Sequence, residues 1–222
     1  ALNRLQLVTA IKTELLEAVG ANRPLAELKV LGTVVLHADV STAGPQIYQG
    51  DVQLAADLTL STNAAGTTGA QLLFAQQLGG ALPGGAAPNL TIEAGPDGEV
   101  RFAGSVGEGA PLGNVLITAN SDLWIEQGFQ AASLVQLAGT GDTNLAGVVE
   151  LTGPAGLSLA ARSIEVHGPV DTSPGSGGIT LVSNETIEIS HLLTTGTGAI
   201  ELTAGTAIAL TALAELQSQS GN

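Results

Sequence analysis

Aliphatic residues alternate with polar or small residues over short stretches of this chain, most clearly towards its C-terminal end. In residues 179–181 and 187–189 every second position is aliphatic, which is the period of a β-strand with one buried face. Gly, Asn and Thr separate such stretches, as expected for turns. The pattern predicts many short strands joined by tight turns.

The strand pattern repeats after 21 residues. Five aliphatic pairs have this spacing: Ile179 and Ile200, Leu181 and Leu202, Ile187 and Ile208, Ile189 and Leu210, and Leu192 and Leu213. Short strands and turns that recur at such an interval are typical of a β-solenoid. We therefore predict an all-β fold, a parallel β-helix (β-solenoid) with coils of about 21 residues and loop insertions.

Alternation also predicts which side chains point into the solenoid. We expect the first four of these pairs to face inward and to stack in columns from coil to coil. Thr180, Glu188 and Glu201 should then face outward. Upstream the spacing is longer, because residues 149–151 precede 179–181 by 30 residues. We expect residues 164–166 and the turn-rich loop 171–177 to absorb the excess.

A longer repeat links two upstream segments. Residues 19–25 and 106–112 both begin with Val-Gly and end with Pro-Leu, 87 residues apart, and an alternating strand follows each of them. We predict a single β-solenoid segment over residues 1–222 that contains two related blocks, 11–98 and 99–213.

Two stretches are locally ambiguous. Residues 12–19 have helical spacing, but the longer repeat aligns them with the strand-like residues 100–106 and therefore favours a strand. Residues 79–88 are rich in Gly and Pro and are predicted to form a loop between coils.

Composition excludes several classes of protein. Twenty acidic and six basic residues give a net charge of −14, so the chain has no basic surface for nucleic acid. A hydrophobic fraction of 44% argues against disorder, and the lack of a long apolar run argues against a membrane-spanning helix. Without cysteine, disulfides and thiolate sites are excluded.

Candidate chemistry is sparse along the chain. The three histidines, His37, His167 and His191, are far apart, and none has a second ligand at metal spacing. Acidic turns near Asp97 and Asp142 do not extend into a calcium-binding motif and are explained by turn formation. We predict no catalytic, cofactor or metal site.

The carboxylates likewise suggest no site. Glu185 and Glu188 lie close in sequence, and Glu201 should lie one coil from Thr180, but Arg162 is the single base nearby. We expect Glu185, Glu188 and the three histidines to be solvated surface groups without a shared pocket.

Several segments resemble the repeats of filamentous-haemagglutinin-like bacterial surface proteins. They are rich in Gly, Thr and aliphatic residues, and the clearest are 42–48, 100–106, 177–181 and 198–205. Proteins of that family are very large secreted parallel β-helices that serve as adhesins or cell-surface filaments. The resemblance implies a β-helix with an extracellular or cell-surface location, and it carries over no catalytic residue.

We therefore expect a non-catalytic structural or adhesive segment of a bacterial cell-surface or extracellular filament protein. Its expected partners are neighbouring coils or subunits of the same protein stacked end to end, with cell-surface or carbohydrate receptors as a further possibility, and with neither nucleic acid nor membrane insertion. The alternative is a carbohydrate-active β-helix enzyme, a polysaccharide lyase or hydrolase, which needs clustered carboxylates.

The two ends of the chain look like further coils. Residues 1–10 alternate like one more strand with Leu5 and Leu7 facing inward, and residues 217–222 are too short and polar for a folded cap. We expect residues 1–222 to be a window on a longer chain, or a subunit whose ends stack on neighbours in a filament.

Overall fold

The chain folds into short β-strands in the computed structural model, which describes residues 3–66, 68–80 and 87–219. The helical element among them is one 3-10 turn, Ala64–Gly66. In chain order the strands are β1 (Arg4–Leu7), β2 (Lys12–Leu15), β3 (Glu27–Val30), β4 (Thr33–Leu36), β5 (Val40–Ser41), β6 (Gln46–Tyr48), β7 (Val52–Leu54), β8 (Leu58–Ser61), β9 (Leu72–Phe74), β10 (Leu78–Gly80), β11 (Leu90–Glu93), β12 (Val100–Phe102), β13 (Leu112–Ala119), β14 (Leu123–Ile125), β15 (Phe129–Gln136), β16 (Asp142–Leu145), β17 (Val149–Ala161), β18 (Ser163–Val166), β19 (Val170–Asp171), β20 (Ile179–Ser183), β21 (Thr186–Ile189), β22 (Leu192–Thr195), β23 (Ile200–Ala204), β24 (Ala207–Leu210) and β25 (Glu215–Ser218).

The strands stack in parallel into three faces around one core. Face 1 is the ten-stranded sheet β1-β3-β6-β9-β12-β14-β16-β18-β21-β24. Face 2 starts with β2, β4, β7 and β10. Isolated parallel bridges from Val106 then connect β10 to the first residues of β15, which pair with the first residues of β17. The face ends with β19, β22 and β25. Face 3 comprises β5, β8, β11, β13, the ends of β15 and β17, β20 and β23.

Each coil of the chain passes over face 1, then face 2, then face 3. The result is a parallel β-solenoid of about nine turns, with equivalent positions roughly 22 residues apart. The predicted all-β solenoid is confirmed, and the coil length is close to the predicted one.

The four aliphatic pairs that were predicted to stack are register partners in neighbouring coils, which confirms the prediction. The 21-residue spacing does not extend to the fifth pair, Leu192 and Leu213, because Leu192 pairs with Glu215 and Leu193 pairs with Leu216. The turn between β24 and β25 is two residues longer than the turn between β21 and β22. These extra residues shift the next strand out of the 21-residue register.

The predicted 30-residue spacing is also wrong. Val149 pairs with Val170, whereas Leu157 pairs with Ile179. Strand β17 is long enough to turn a corner and to contribute to both face 2 and face 3. Residues 164–166 are therefore an ordinary strand of face 1, and the extra residues of that coil lie between β19 and β20.

The turn shared by residues 19–25 and 106–112 has the same backbone conformation in both copies. Gly20 and Gly107 have φ angles of 81° and 74°, a left-handed conformation that favours glycine. The strands that follow do not correspond, because residues 28–30 lie on face 1 and residues 115–117 lie on face 3. The division into two related blocks stays a prediction.

Each of the two ambiguous stretches contributes residues to a strand. Lys12–Leu15 forms β2, as the alignment favoured over a helix. Gly79 and Gly80, predicted to lie in a loop, instead complete β10 on face 2. Residues 81–86 of that predicted loop lie outside the described part of the chain.

Four of the five aromatic side chains form a ladder inside the solenoid, and each is at most 1% exposed. Tyr48 stacks on Phe74, and Phe74 on Phe102, with ring centroids 5.3 Å apart at both steps. Phe129 meets Phe102 edge-on at 5.7 Å. Offset and edge-on pairs of this kind add to the free energy gained from burial, so the ladder reinforces an otherwise aliphatic core.

Two groups of buried polar side chains are hydrogen-bonded inside the solenoid. Tyr48 donates to Oε1 of Gln46 over 2.9 Å, and burial raises the pKa of the Tyr48 hydroxyl above its ordinary value. Further along, Nε2 of Gln136 donates to Asn120 over 2.9 Å while its Oε1 accepts from Thr143 over 3.0 Å. Because each group has a partner, burial leaves little unpaired polarity.

Candidate functional site

The C-terminal end of the solenoid exposes part of its aliphatic core. Ile208 and Leu210 are 44% and 54% exposed, although their register partners Ile187 and Ile189 are completely buried. Among the described residues, β24 has a neighbouring strand on one side of face 1 and none on the other. The predicted inward register of Ile208 and Leu210 is confirmed, but their side chains lie at an open end.

The N-terminal end is open in the same way. Leu5 and Leu7 of β1 pack against the core and are only partly buried, which confirms that they face inward. Ile11, at the next corner, is 87% exposed. Both axial ends of the described solenoid therefore present aliphatic side chains and the hydrogen-bonding edges of terminal strands.

The two ends differ in charge. Residues 3–30 contain four bases, which are Arg4, Lys12, Arg23 and Lys29, against three acids. Residues 185–219 contain four glutamates and no base. An N-terminal end placed against a C-terminal end would therefore bring opposite charges together.

The candidate glutamates do not form one site. Glu201 is the register partner of Thr180 on face 3, as predicted. Glu188 projects from face 1, and Glu185 lies in the preceding turn. All three glutamates are exposed, and face 1 and face 3 look in different directions, so Glu188 and Glu201 act on different surfaces.

The histidines are separate and partly buried rather than fully solvated. His37 follows β4 on face 2, with Nε2 4.0 Å from a carboxylate oxygen of Glu14. Lys12, which hydrogen-bonds to Glu14, lowers the pKa of that carboxyl. His191 lies in the turn before β22.

One cluster on face 1 was missed by the sequence analysis. Nε2 of His167 lies 3.3 Å from Oε2 of Glu165, and Nδ1 lies 3.1 Å from Oγ of Ser190. Glu165 and His167 are two residues apart, which places both on the outside of the same coil. Ser190 comes from the next coil, so that only a correct coil register could have revealed the cluster.

This cluster has the residue types of a catalytic triad but a different hydrogen-bond arrangement. The Val166 carbonyl, 3.1 Å from the Ser190 hydroxyl, competes with His167 as the acceptor of its proton. An activated serine instead gives its proton to the base beside it. The cluster is best described as a polar network that links two coils.

The acidic turns are engaged in structural contacts. Asp142 accepts a hydrogen bond from Arg162 over 2.7 Å, and its backbone N–H donates to Asp122 over 2.8 Å. Asp97 lies in an exposed turn. No group of three or more His, Asp or Glu side chains that could hold a metal ion occurs within residues 3–66, 68–80 and 87–219.

A groove of about 450 Å³ lies beside the turn 107–110 on face 2. Its polar lining includes Glu108, Gln130 and Glu150, and Gln130 donates to Glu150 over 3.0 Å. On the other side of the turn is a depression of about 290 Å³ that also touches Glu108. The turn therefore projects from the solenoid as a ridge.

The described residues contain no helix long and apolar enough to cross a membrane. Comparison with known proteins adds no family to these observations. No protein-family model, curated protein or solved structure matches the chain.

Proposed function

We propose that this chain is a non-catalytic structural or adhesive segment of a large bacterial cell-surface or extracellular filament protein. Its solenoid continues end to end into neighbouring coils or into further subunits of the same protein. The observation that carries this proposal is that both ends of the solenoid are open. At the C-terminal end, Ile208 and Leu210 are exposed although their register partners one coil earlier are buried.

Two further observations support the proposal. Within the part of the chain that the structure describes, the outer strands of face 1, β1 and β24, have a neighbouring strand on one side only, so another coil can pair with their open edges in the same register. The opposite charges of the ends favour head-to-tail stacking, which forms open linear arrays rather than closed pairs. The resemblance to filamentous-haemagglutinin-like repeats supports an extracellular or cell-surface location.

Sedimentation velocity of the 222-residue chain over a range of concentrations tests the stacking. We expect species that grow with concentration and that elongate without limit, as heterologous contacts predict. Leu210→Glu should weaken association by at least about tenfold, because stacking would then bury an unpaired carboxylate among aliphatic side chains.

Ala209→Glu is the matched control for this experiment. Residue 209 is on the same strand but faces outward, in register with Glu188. It adds the same charge without entering the end of the core, and association should change much less than with Leu210→Glu. A wild-type chain that stays a clean monomer at high concentration would contradict the proposal.

The second candidate is a carbohydrate-active enzyme, and the observation in its favour is the cluster of Glu165, His167 and Ser190. Incubation with acidic polysaccharides, followed by measurement of new reducing ends or unsaturated products, separates the two functions. We expect no cleavage. Cleavage that disappears in Glu165→Gln would replace the structural proposal with the enzymatic one.

A further inference from the structure

Trp124 is the one aromatic residue outside the core. It lies in the middle of β14, between Leu123 and Ile125, which are buried. Alternation therefore directs the indole to the outer surface of face 1, where it is partly exposed. The aromatic ladder shows that this solenoid accommodates large rings inside, so the outward position of Trp124 is not a consequence of limited core space.

Hydrogen-bonding side chains flank the indole along the solenoid axis. In register with Trp124 are Arg101 in the preceding coil and Asn144 in the following coil. Arg101 pairs with Glu126 over 2.5 Å, and Asn144 donates to Glu165 over 2.9 Å.

The network around Glu165 extends this surface by one more coil. Glu165 follows Asn144 in the same outward column, and its carboxylate meets His167, which in turn contacts Ser190. Guanidinium, carboxamide and carboxylate groups keep free donors and acceptors after one such bond. From Arg101 to Glu165 the column crosses four strands, or roughly 14 Å at the usual strand spacing.

The charge of this surface selects between classes of ligand. Arg101 and Arg162 are each paired with a carboxylate, Glu126 and Asp142 respectively. Asp122, which accepts a hydrogen bond from the Asp142 backbone N–H, and Glu165, whose neighbours are Asn144 and His167, add further negative charge to the same face. The surface therefore repels anionic ligands, while its carboxylates and amide accept and donate hydrogen bonds to hydroxyl groups.

We infer that the outer surface of face 1 around Trp124 binds an uncharged oligosaccharide. The indole packs against the apolar C–H face of one pyranose ring, and the Arg101–Glu126 and Asn144–Glu165 pairs bind hydroxyl groups of the rings on either side. An extended sugar chain matches this flat, linear surface, and it runs along the solenoid axis. The inference adds a ligand to the adhesive role, but it does not require the ends to stack.

The single tryptophan makes the site directly measurable. Cellotetraose or xylotetraose should change the intrinsic fluorescence of the wild-type chain saturably, with a Kd on the order of 1 mM. Tetragalacturonate, which has similar length and carries carboxylates, should bind at least about tenfold more weakly. Isothermal titration calorimetry repeats the measurement for variants that lack the fluorophore.

Variants separate the indole from the rest of the surface. Trp124→Ala should weaken binding at least about tenfold, and Trp124→Phe, which keeps an aromatic ring, should bind with intermediate affinity. Glu165→Gln should weaken binding about threefold to tenfold by removing a charged acceptor. Glu150→Gln changes the same residue type in the groove on face 2 and should leave affinity unchanged.

Several results would overturn the inference. They are the absence of saturable binding for both neutral tetrasaccharides, tighter binding of tetragalacturonate, full affinity in a folded Trp124→Ala variant, or loss of affinity in Glu150→Gln. Circular dichroism of each variant verifies folding. Sedimentation of the same samples keeps the two proposals apart, because Leu210→Glu should affect association alone and Trp124→Ala should affect sugar binding alone.

Discussion

Strands β21 and β24 are neighbours on face 1 with nearly the same inward residues and very different burial. Ile187 and Ile189 in β21 are 0% exposed, whereas Ile208 and Leu210 in β24 are 44% and 54% exposed. The residues are in register, and both pairs point the same way. The difference shows that burial in a solenoid comes from having a coil on each side, since one coil alone covers only half of a side chain.

The largest predicted effect distinguishes these two positions directly. Ile187→Ala should destabilise the chain by about 2–5 kcal/mol, because it removes buried methyl groups and leaves a cavity. Ile208→Ala should cost less than about 1 kcal/mol, because much of that side chain is already in water. Urea denaturation followed by circular dichroism measures both.

Protein concentration should affect the stability loss of Ile208→Ala but not that of Ile187→Ala. If the ends stack, Ile208 becomes more buried at high protein concentration, and the cost of Ile208→Ala should rise with concentration. Equal losses for the two variants in a dilute, monomeric sample would contradict the assignment of Ile208 to an open end.

A smaller loss of stability is expected for a buried glutamine, Gln136, than for Ile187, and a smaller one still for Gln217, which is exposed near the C-terminal end. Gln136→Ala should cost about 1–3 kcal/mol, because it leaves buried groups of Asn120 and Thr143 without partners. Gln217→Ala should change stability by no more than about 0.5 kcal/mol, since the Gln217 side chain is exposed and, among the described residues, hydrogen-bonds to the Glu215 side chain alone, over 2.7 Å. Thermal midpoints of the two variants provide the measurement, and similar midpoints would contradict the difference.

The fold class followed from the sequence because two periods are visible in it. Alternation within residues 187–189 gives the strand, and recurrence at 208–210 gives the coil, so that four register pairs could be predicted correctly. Both signals arise from the same physical requirement, a continuous aliphatic interior built from repeated short strands.

The errors arose where the length of a turn or strand departs from the period. The longer turn after Leu210 moved Leu216, rather than Leu213, beside the previous coil. The 13-residue strand β17 serves two faces, which a search for short strands does not detect. Contacts such as that between His167 and Ser190 depend on this register, so surface clusters could not be predicted before the coils were correctly aligned.

The smallest expected effects concern the outward positions of the same two strands. Glu188→Ala in β21 and Ala209→Glu in β24 exchange residue types between register partners. Each should change the free energy of unfolding by no more than about 0.5 kcal/mol, because both side chains face solvent. Chemical denaturation measures the free energy of unfolding of both variants, in moderate salt so that the change in charge is screened. A loss above about 1 kcal/mol at either position would mean that the outward side chains also depend on neighbouring coils, and the contrast between β21 and β24 would then extend beyond the core.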